Sequence, residues 1–432
     1  MPRILPFRGL RYDLPRAGRA EDLLAPPYDV VDEAGRRAIA ARSPNNCIRV
    51  ILPEGEGAAK YARGAAEFRR LVDEALVRDT EPSIYVYHQT FDVDGRTYTR
   101  KGFVCLMELS PFGEGKVLPH ERTLAGPRAD RLELMRAADA HLELVFGLFP
   151  DPQRAWEQAV GDLGQPVLDA ELDGVRHVLY RVADPAAISA LAEVLEPKKV
   201  YIADGHHRYT TMVEYAKELR ARGRPGADFG MIYLSNLDDP GLVVLPTHRL
   251  VHDVPSFDAE ALVDRLRAHF DVEQVALPAS VGQLRERLAE AGRQGTAFAL
   301  SVPGSGTAWV LSTRADFDPA KTRLAALPEA LRHLDVVLLH ELVLEEGLGI
   351  TKDAQERKLN IYYEKSSERA LEEARVPGTH HTGVQLVCFM NATPVGDVVA
   401  VCDSGEVMPQ KSTFFHPKIP TGLVFHDLSP ES

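Results

Sequence analysis

The sequence predicts a chain of mixed helix and strand, α+β or mixed α/β. Asp94-Gly95 and Asp173-Gly174 each lie between apolar or alternating runs, which is the short-range signature of a β-hairpin. Residues 57–78 and 127–139 place apolar side chains at helical spacing. A short apolar run, 198–203, leads straight into Asp204-Gly205 and a further helical pattern, a strand–turn–helix unit.

Taken in order, a Pro-rich opening precedes the helix expected over 57–78. The first hairpin pairs 83–93 with 96–109, because Val, Tyr, Phe and Thr suit a pleated surface. The helix over 127–139 is followed by a buried strand, 142–149, and by a second hairpin over 166–182. Strand 198–203, a helix to about residue 220 and strand 229–235 complete the first part. Asp238-Asp239-Pro240-Gly241 is a strong turn signal and marks a domain boundary near 240, giving regions 1–240 and 241–432. Beyond it the pattern predicts helix 257–268, strand 271–277, helix 281–292, strands 297–302 and 307–312, helix 333–346 and strand 384–390. His333 and His340 fall seven apart on that last helix among Leu334, Val337 and Leu338, and read as satisfied helix histidines. His380 and His381 read as exposed loop residues. The closing segment is irregular and rich in Pro, Lys and aromatics.

Composition narrows the function. The chain has 432 residues, 45% hydrophobic and 26% charged, which excludes a mainly disordered or collagen-like protein. Lys and Arg total 50 against 63 Asp and Glu, a net charge of −13, so neither nucleic acid nor an anionic membrane surface is expected as a partner. No apolar run reaches the ~18 residues of a membrane helix. The first twenty residues carry no secretory pattern, and Cys47, Cys105, Cys388 and Cys402 are scattered without metal-ligand spacing. A cytoplasmic protein acting on a small molecule is the expectation. Walker A, GxSxG, GxGxxG and HExxH motifs are all missing, which argues against the corresponding NTPase, hydrolase, dehydrogenase and zincin classes.

The segment Tyr201-Ile-Ala-Asp-Gly-His-His-Arg-Tyr209 carries the most chemistry. Tyr209, Met212, Val213, Ala216 and Leu219 share one helical face, which leaves Asp204, His206, His207 and Arg208 clustered at the helix N-terminus. Free backbone N–H groups and the helix dipole favour an anion there. Gly205 permits close backbone approach, and Arg208 offers a forked donor for phosphate or carboxylate. The plainer alternative is that Asp204 caps the helix. Adjacent His206 and His207 diverge on a helix, unlike the i, i+4 pair of a zinc site.

A second cluster, Pro119-His120-Glu121-Arg122-Thr123, places a carboxylate beside an imidazole where a strand meets a helix, suited to general-base work or to capping. Tyr28 and Asp29 follow two prolines in a rigid segment that can line a cleft. Lys411, Ser412, Thr413, His416 and Lys418 crowd a Pro-bounded loop where two lysines suit an anion.

The Asp-Gly-His-His-Arg turn preceded by a loop glutamate resembles the ParB/sulfiredoxin-like superfamily, free serine kinases in particular. Those enzymes transfer phosphate from a nucleotide or pyrophosphate to L-serine. Nearly end to end, the chain also resembles an uncharacterised bacterial and archaeal family, the domain of unknown function "ten-fifteen". The marks are Pro6-Phe7-Arg8-Gly9, Ala25-Pro-Pro-Tyr-Asp-Val30, Pro119-His-Glu-Arg-Thr123, Ala203-Asp-Gly-His-His-Arg-Tyr209 and Met408-Pro-Gln-Lys-Ser-Thr-Phe-Phe-His-Pro-Lys418.

These resemblances imply a ParB/sulfiredoxin-like core over about 80–240, with an insertion at about 150–195 and N- and C-terminal elaborations. They imply Glu121 as base and Asp204, His206, His207 and Arg208 as the phosphate and metal end, with Mg2+ on Asp204. Gly205, His120, Thr123, Tyr28, Asp29, Lys411 and Lys418 are the accompanying substrate or phosphate ligands, and ATP, ADP or pyrophosphate is the donor. The implied activity is phosphoryl transfer to a small hydroxylated metabolite, serine first, or the reverse. The alternatives are a phosphatase at the same site and a non-catalytic nucleotide-binding switch. Two departures stand out. Glu121 and Asp204 lie far apart in the chain, and the helix-turn-helix pair that follows the core in ParB is not predicted after residue 235.

Overall fold

The computed structural model describes residues 3–122, 125–224, 226–277, 281–375 and 383–429. The chain divides into two compact units. The first gathers Met1–Pro119, Thr123–Val243 and Pro417–Ser432, and the second His120–Arg122 and Val244–His416.

The first unit is built on a nine-stranded mixed sheet. Its strands are β1 (Ile4–Leu5), β2 (Ile84–Val93), β3 (Arg96–Glu108), β4 (Val117–Leu118), β5 (Val145–Phe149), β6 (Leu168–Leu172), β7 (Val175–Val182), β8 (Val200–Asp204) and β9 (Phe229–Asn236). They run in the order β4-β8-β5-β9-β3-β2-β7-β6, with β1 also paired to β3. Pairings are antiparallel except β4 with β8 and β5 with β9. Both predicted hairpins form. Asp94 and Gly95 have φ of 50° and 73°, and Asp173 and Gly174 have 52° and 75°, the left-handed pair that matches the twist of the flanking strands. The second hairpin extends the main sheet beside β2, so the segment expected as an insertion supplies two of its strands.

Helix α1 covers Gly57–Glu74, α2 Ala125–Ala138, α3 Pro185–Leu195 and α4 His206–Ala221. α1 stops short of the expected residue 78. Leu76–Arg78 instead pair with Leu10–Tyr12 as a two-stranded ribbon, which buries Leu76 while its backbone stays hydrogen-bonded. Leu132 and Met135 of α2 and Tyr209, Met212 and Val213 of α4 pack on Phe103, Cys105, Val145 and Ile232 of the sheet. A further core joins Leu10, Cys47, Phe68, Leu142 and Phe425. The closing segment reaches this core through paired backbone bonds. Thr421 exchanges N–H···O contacts of 2.8 and 3.2 Å with Ala25, and Phe425 exchanges 2.8 and 3.0 Å contacts with Leu10.

The second unit holds a six-stranded sheet, antiparallel throughout its pairings. Its strands are β10 (His248–His252), β11 (Phe270–Ala276), β12 (Ala297–Ser301), β13 (Thr307–Thr313), β14 (Ile361–Glu364) and β15 (Val384–Met390), in the order β11-β13-β12-β15-β10-β14. The helix expected over 333–346 is α-helical at Asp335–Leu338 and continues in wider π turns over Leu339–Gly347. His340 is buried there, with Nδ1 2.7 Å from Gln355 Oε1, whereas His333 precedes the helix and is exposed. His380 and His381 lie outside the described residues. All four cysteines are buried and reduced. Among the described residues no helix is long and apolar enough to cross a membrane.

Burial in the first unit carries a pH signature. His177, stacked on Tyr87, and His426 are each pushed down to about 4, chiefly by burial. Above pH ~6.5 both are neutral whether folded or not. Below it the unfolded chain takes up protons that the folded chain refuses until about pH 4. Stability is therefore expected to fall as pH drops through that window, by about 1.4 kcal/mol per pH unit per histidine. Denaturant titrations at stepwise pH check this, and a flat profile between pH ~6.5 and ~5 contradicts it.

Candidate functional site in the first unit

Strand β8 ends in a bulge. Tyr201 and Ile202 pair with Leu148 and Gly147, then the register shifts so that Asp204 faces Phe146. Such a bulge re-aims the side chain that follows it. Gly205 makes the turn into α4 with φ 84° and ψ 32°, the left-handed region open to glycine. A Cβ on Gly205 would meet the Arg208 guanidinium, with Nε at 2.9 Å.

Gly205, and not Asp204, is the N-cap of α4, and glycine has no side chain with which to cap it. The Asp204 carboxylate meets two cations of the chain, which a cap alone does not need: Oδ2 accepts from Arg208 Nη2 at 2.6 Å, and Oδ1 accepts from Lys418 Nζ. Burial pushes the Asp204 carboxyl up, but Lys418 and Arg208, with the His206 ring, outweigh it and hold the group well below the usual carboxylate range.

Arg208 is 5% exposed, and its Nη1 donates to the carbonyl of Leu144. The accessible forked donor expected from the sequence is therefore turned inward. Nε of Arg208 and Oε1 of Glu143, both buried, find no hydrogen-bond partner among the described residues. Both residues line a cavity of about 20 Å³, with Arg131 and Met212 among its other walls. Burial lowers the Arg208 guanidinium, while Asp204, Glu143, Asp29 and Tyr28 raise it further, so it stays charged.

Tyr28 and Asp29 do come to this cluster, in a short 3₁₀ turn over Tyr28–Val30. The Tyr28 ring lies under Arg131 with the guanidinium 4.1 Å from its centroid. Its hydroxyl is pushed up to about 12, first by burial, with Arg208 pulling the other way. Arg131 also bonds Glu143 at 3.1 Å and the Ile51 carbonyl at 2.8 Å. Neither Arg131 nor Glu143 was anticipated. A signal existed for both: Arg131 shares a helical stripe with Leu134, Met135 and Ala138, and Glu143 interrupts the apolar run 142–149. A charge in an apolar pattern needs a buried partner.

Lys418 is presented by its backbone. Arg100 is fully buried, donates from Nη2 to the Pro417 carbonyl at 2.6 Å, and lies over the Phe146 ring at 4.6 Å. Gln89, itself bonded to Arg100, donates to the Lys418 carbonyl at 3.1 Å. The first unit thus assembles Tyr28, Asp29, Asp204, Gly205, His206, His207, Arg208 and Lys418, with His206 buried and His207 half-buried.

His120, Glu121 and Lys411, also predicted from the sequence, belong to the second unit. His120 is buried, with Nε2 2.8 Å from Thr413 Oγ1, and Glu121 bridges to Met408. Glu121 also contributes to the field at the buried Arg249, whose Nη2 donates to the Lys411 carbonyl at 3.1 Å. Lys411 itself is exposed. Thr123 lies outside the described residues.

The donor set does not fit the magnesium that the resemblance implies at Asp204. Magnesium takes hard oxygen ligands at about 2.0–2.1 Å, and imidazoles do not serve it. Both Asp204 oxygens already face cations of the chain.

With that geometry in hand, residues 4–337 match the family described as Protein of unknown function (DUF1015), and the chain belongs to that family. No curated protein matches. Among solved structures, the chain is similar to a conserved hypothetical protein from Pyrococcus furiosus at 15% identity, covering 71% of this chain and 90% of that one with a TM-score of 0.33. It is similar to a free serine kinase variant in complex with ADP at 14% identity, covering 69% and 84% with a TM-score of 0.34. It is also similar to SbnI with a C-terminal truncation from Staphylococcus aureus at 11% identity, covering 74% and 85% with a TM-score of 0.33.

Gly205→Ala is expected to destabilise the first unit by at least about 1 kcal/mol, since the left-handed turn penalises a Cβ and the guanidinium behind it cannot yield without losing Asp204. A thermal midpoint equal to wild type would contradict this reading of the turn.

Proposed function

We propose that the first unit binds the phosphate groups of a nucleotide or of pyrophosphate at the start of α4 and passes a phosphoryl group to a small hydroxylated metabolite, with serine the leading acceptor. The observation that carries this is the Arg208–Asp204–Lys418 triad at the start of α4. Within the triad, one carboxylate stands between two cations, and Lys418 is the cation not shared with the Glu143 and Asp29 carboxylates that act on Arg208. The dipole of α4 adds to that positive charge at the helix start, in a chain that is otherwise acidic. Phosphoryl transfer is mostly positioning and charge neutralisation, so such a site needs no covalent nucleophile. In the reaction the acceptor hydroxyl oxygen bonds to phosphorus, the bridging P–O bond of the donor breaks, and the shortened donor leaves.

Phosphorus NMR of the protein with ATP, ADP or pyrophosphate and a panel of small alcohols tests the reading. The expected result is a new phosphomonoester resonance, first with serine. Nucleotide binding without any such product would replace transfer by the non-catalytic switch, and release of inorganic phosphate from phosphoserine would replace it by a phosphatase.

The proton acceptor is tested separately. Glu121, in the second unit, enters by resemblance alone, and Glu121→Gln is expected to lower turnover by ~10²–10⁴-fold with donor affinity kept. Wild-type turnover in that variant would remove Glu121 from the mechanism.

A further inference from the structure

Asp204 has two oxygens, and the chain supplies a cation to each. Neither cation is a loose surface partner. Arg208 is buried and tied to the Leu144 carbonyl, so its charge is fixed against Oδ2. Lys418 has a side chain only 16% exposed, and the carbonyls of Pro417 and Lys418 are held by Arg100 and Gln89. Three residues further on, Thr421 is locked to Ala25. The ammonium is therefore delivered to Oδ1 by a backbone pinned on both sides of the contact.

A divalent ion at Asp204 would have to displace one of these cations. Displacing Arg208 strands a buried charge, and displacing Lys418 sets a lysine and a divalent cation against each other in a half-buried site. A phosphate faces no such conflict, because an ammonium can hold a carboxylate and a phosphate oxygen together through its three donors.

We infer that Lys418 stands where a divalent cation would otherwise sit. The site carries its own counter-charge, and donor phosphate is received by Lys418 and the first turn of α4 without a metal bridge from Asp204. The ligand's identity rests on the reading in the preceding section; the exclusion of a divalent ion from Asp204 does not.

Two measurements on the full chain test this. The first is Mn2+ titration followed by electron paramagnetic resonance, with no nucleotide present. Wild type and Asp204→Asn are expected to bind Mn2+ alike, and an Mn2+ site present in wild type and lost in Asp204→Asn overturns the inference. The second is calorimetric titration with ADP in chelator and in excess Mg2+. Wild type is expected to bind with affinities within about threefold of each other. Lys418→Met is expected to lose at least about tenfold in chelator, with Lys418→Arg recovering most of it and showing that the fold survives. An ADP affinity in wild type that collapses on chelation, or a Lys418→Met variant that binds as wild type does, overturns the inference. If wild type binds no ADP under either condition, the phosphate-donor reading falls, while the Mn2+ comparison still decides whether Lys418 keeps metal off Asp204.

Discussion

The buried carboxylate of Asp204 organises the candidate site. A carboxylate at the inner end of a sheet strand is costly unless its charge is matched and both oxygens are bonded. The match is made by one cation from the following helix and one from near the end of the chain, more than two hundred residues on. Everything around it serves that match. The bulge in β8 turns Asp204 out of the ladder, Gly205 leaves space for the Arg208 guanidinium, and the Leu144 carbonyl fixes that guanidinium. The Arg100–Gln89 pair holds the backbone that brings in Lys418.

This arrangement explains why the closing segment belongs to the first unit rather than to the residues just before it. Its sequence is irregular, but its backbone is satisfied by pairing with Leu10 and Ala25 and by the buried Arg100 and Gln89 side chains. A segment with little secondary structure of its own is ordered when other elements meet its polar groups. The same reasoning separates Lys418 from Lys411. The two share a basic, Pro-bounded stretch of sequence, yet one faces Asp204 in the first unit, and the other is exposed in the second.

Arg208 shows how burial changes a residue's part. Read from the motif it is a donor aimed at a ligand. In the fold its terminal nitrogens serve Asp204 and the Leu144 carbonyl, which makes it the residue that positions the carboxylate. In the proposed reading, phosphate meets Lys418 and the start of α4 instead. Tyr28, Arg131 and Glu143 form the adjoining buried network, in which Arg131 stacks on Tyr28 and bonds Glu143.

Local chemistry in the sequence determined the mixed helix-and-strand class, both Asp-Gly hairpins, and the strand–turn–helix that ends in Asp204 and begins again at His206. These depend on the period of apolar residues and on which residues tolerate left-handed backbone, and both are written in short windows. Where α1 ends was not legible, because Leu76 and Val77 fit a helix or a strand equally well, and only the ribbon partner Leu10–Tyr12 chose between them. The partners of Asp204 were not legible either. His206, His207, Arg208 and Lys418 could all be picked out as polar residues fit for an anion. Which of them turns inward and which meets the carboxylate depends on burial and on contacts between distant segments. Charge pairing across such separations is set by the packed chain, since a cation's effect falls off over a few ångströms and has no counterpart in sequence distance.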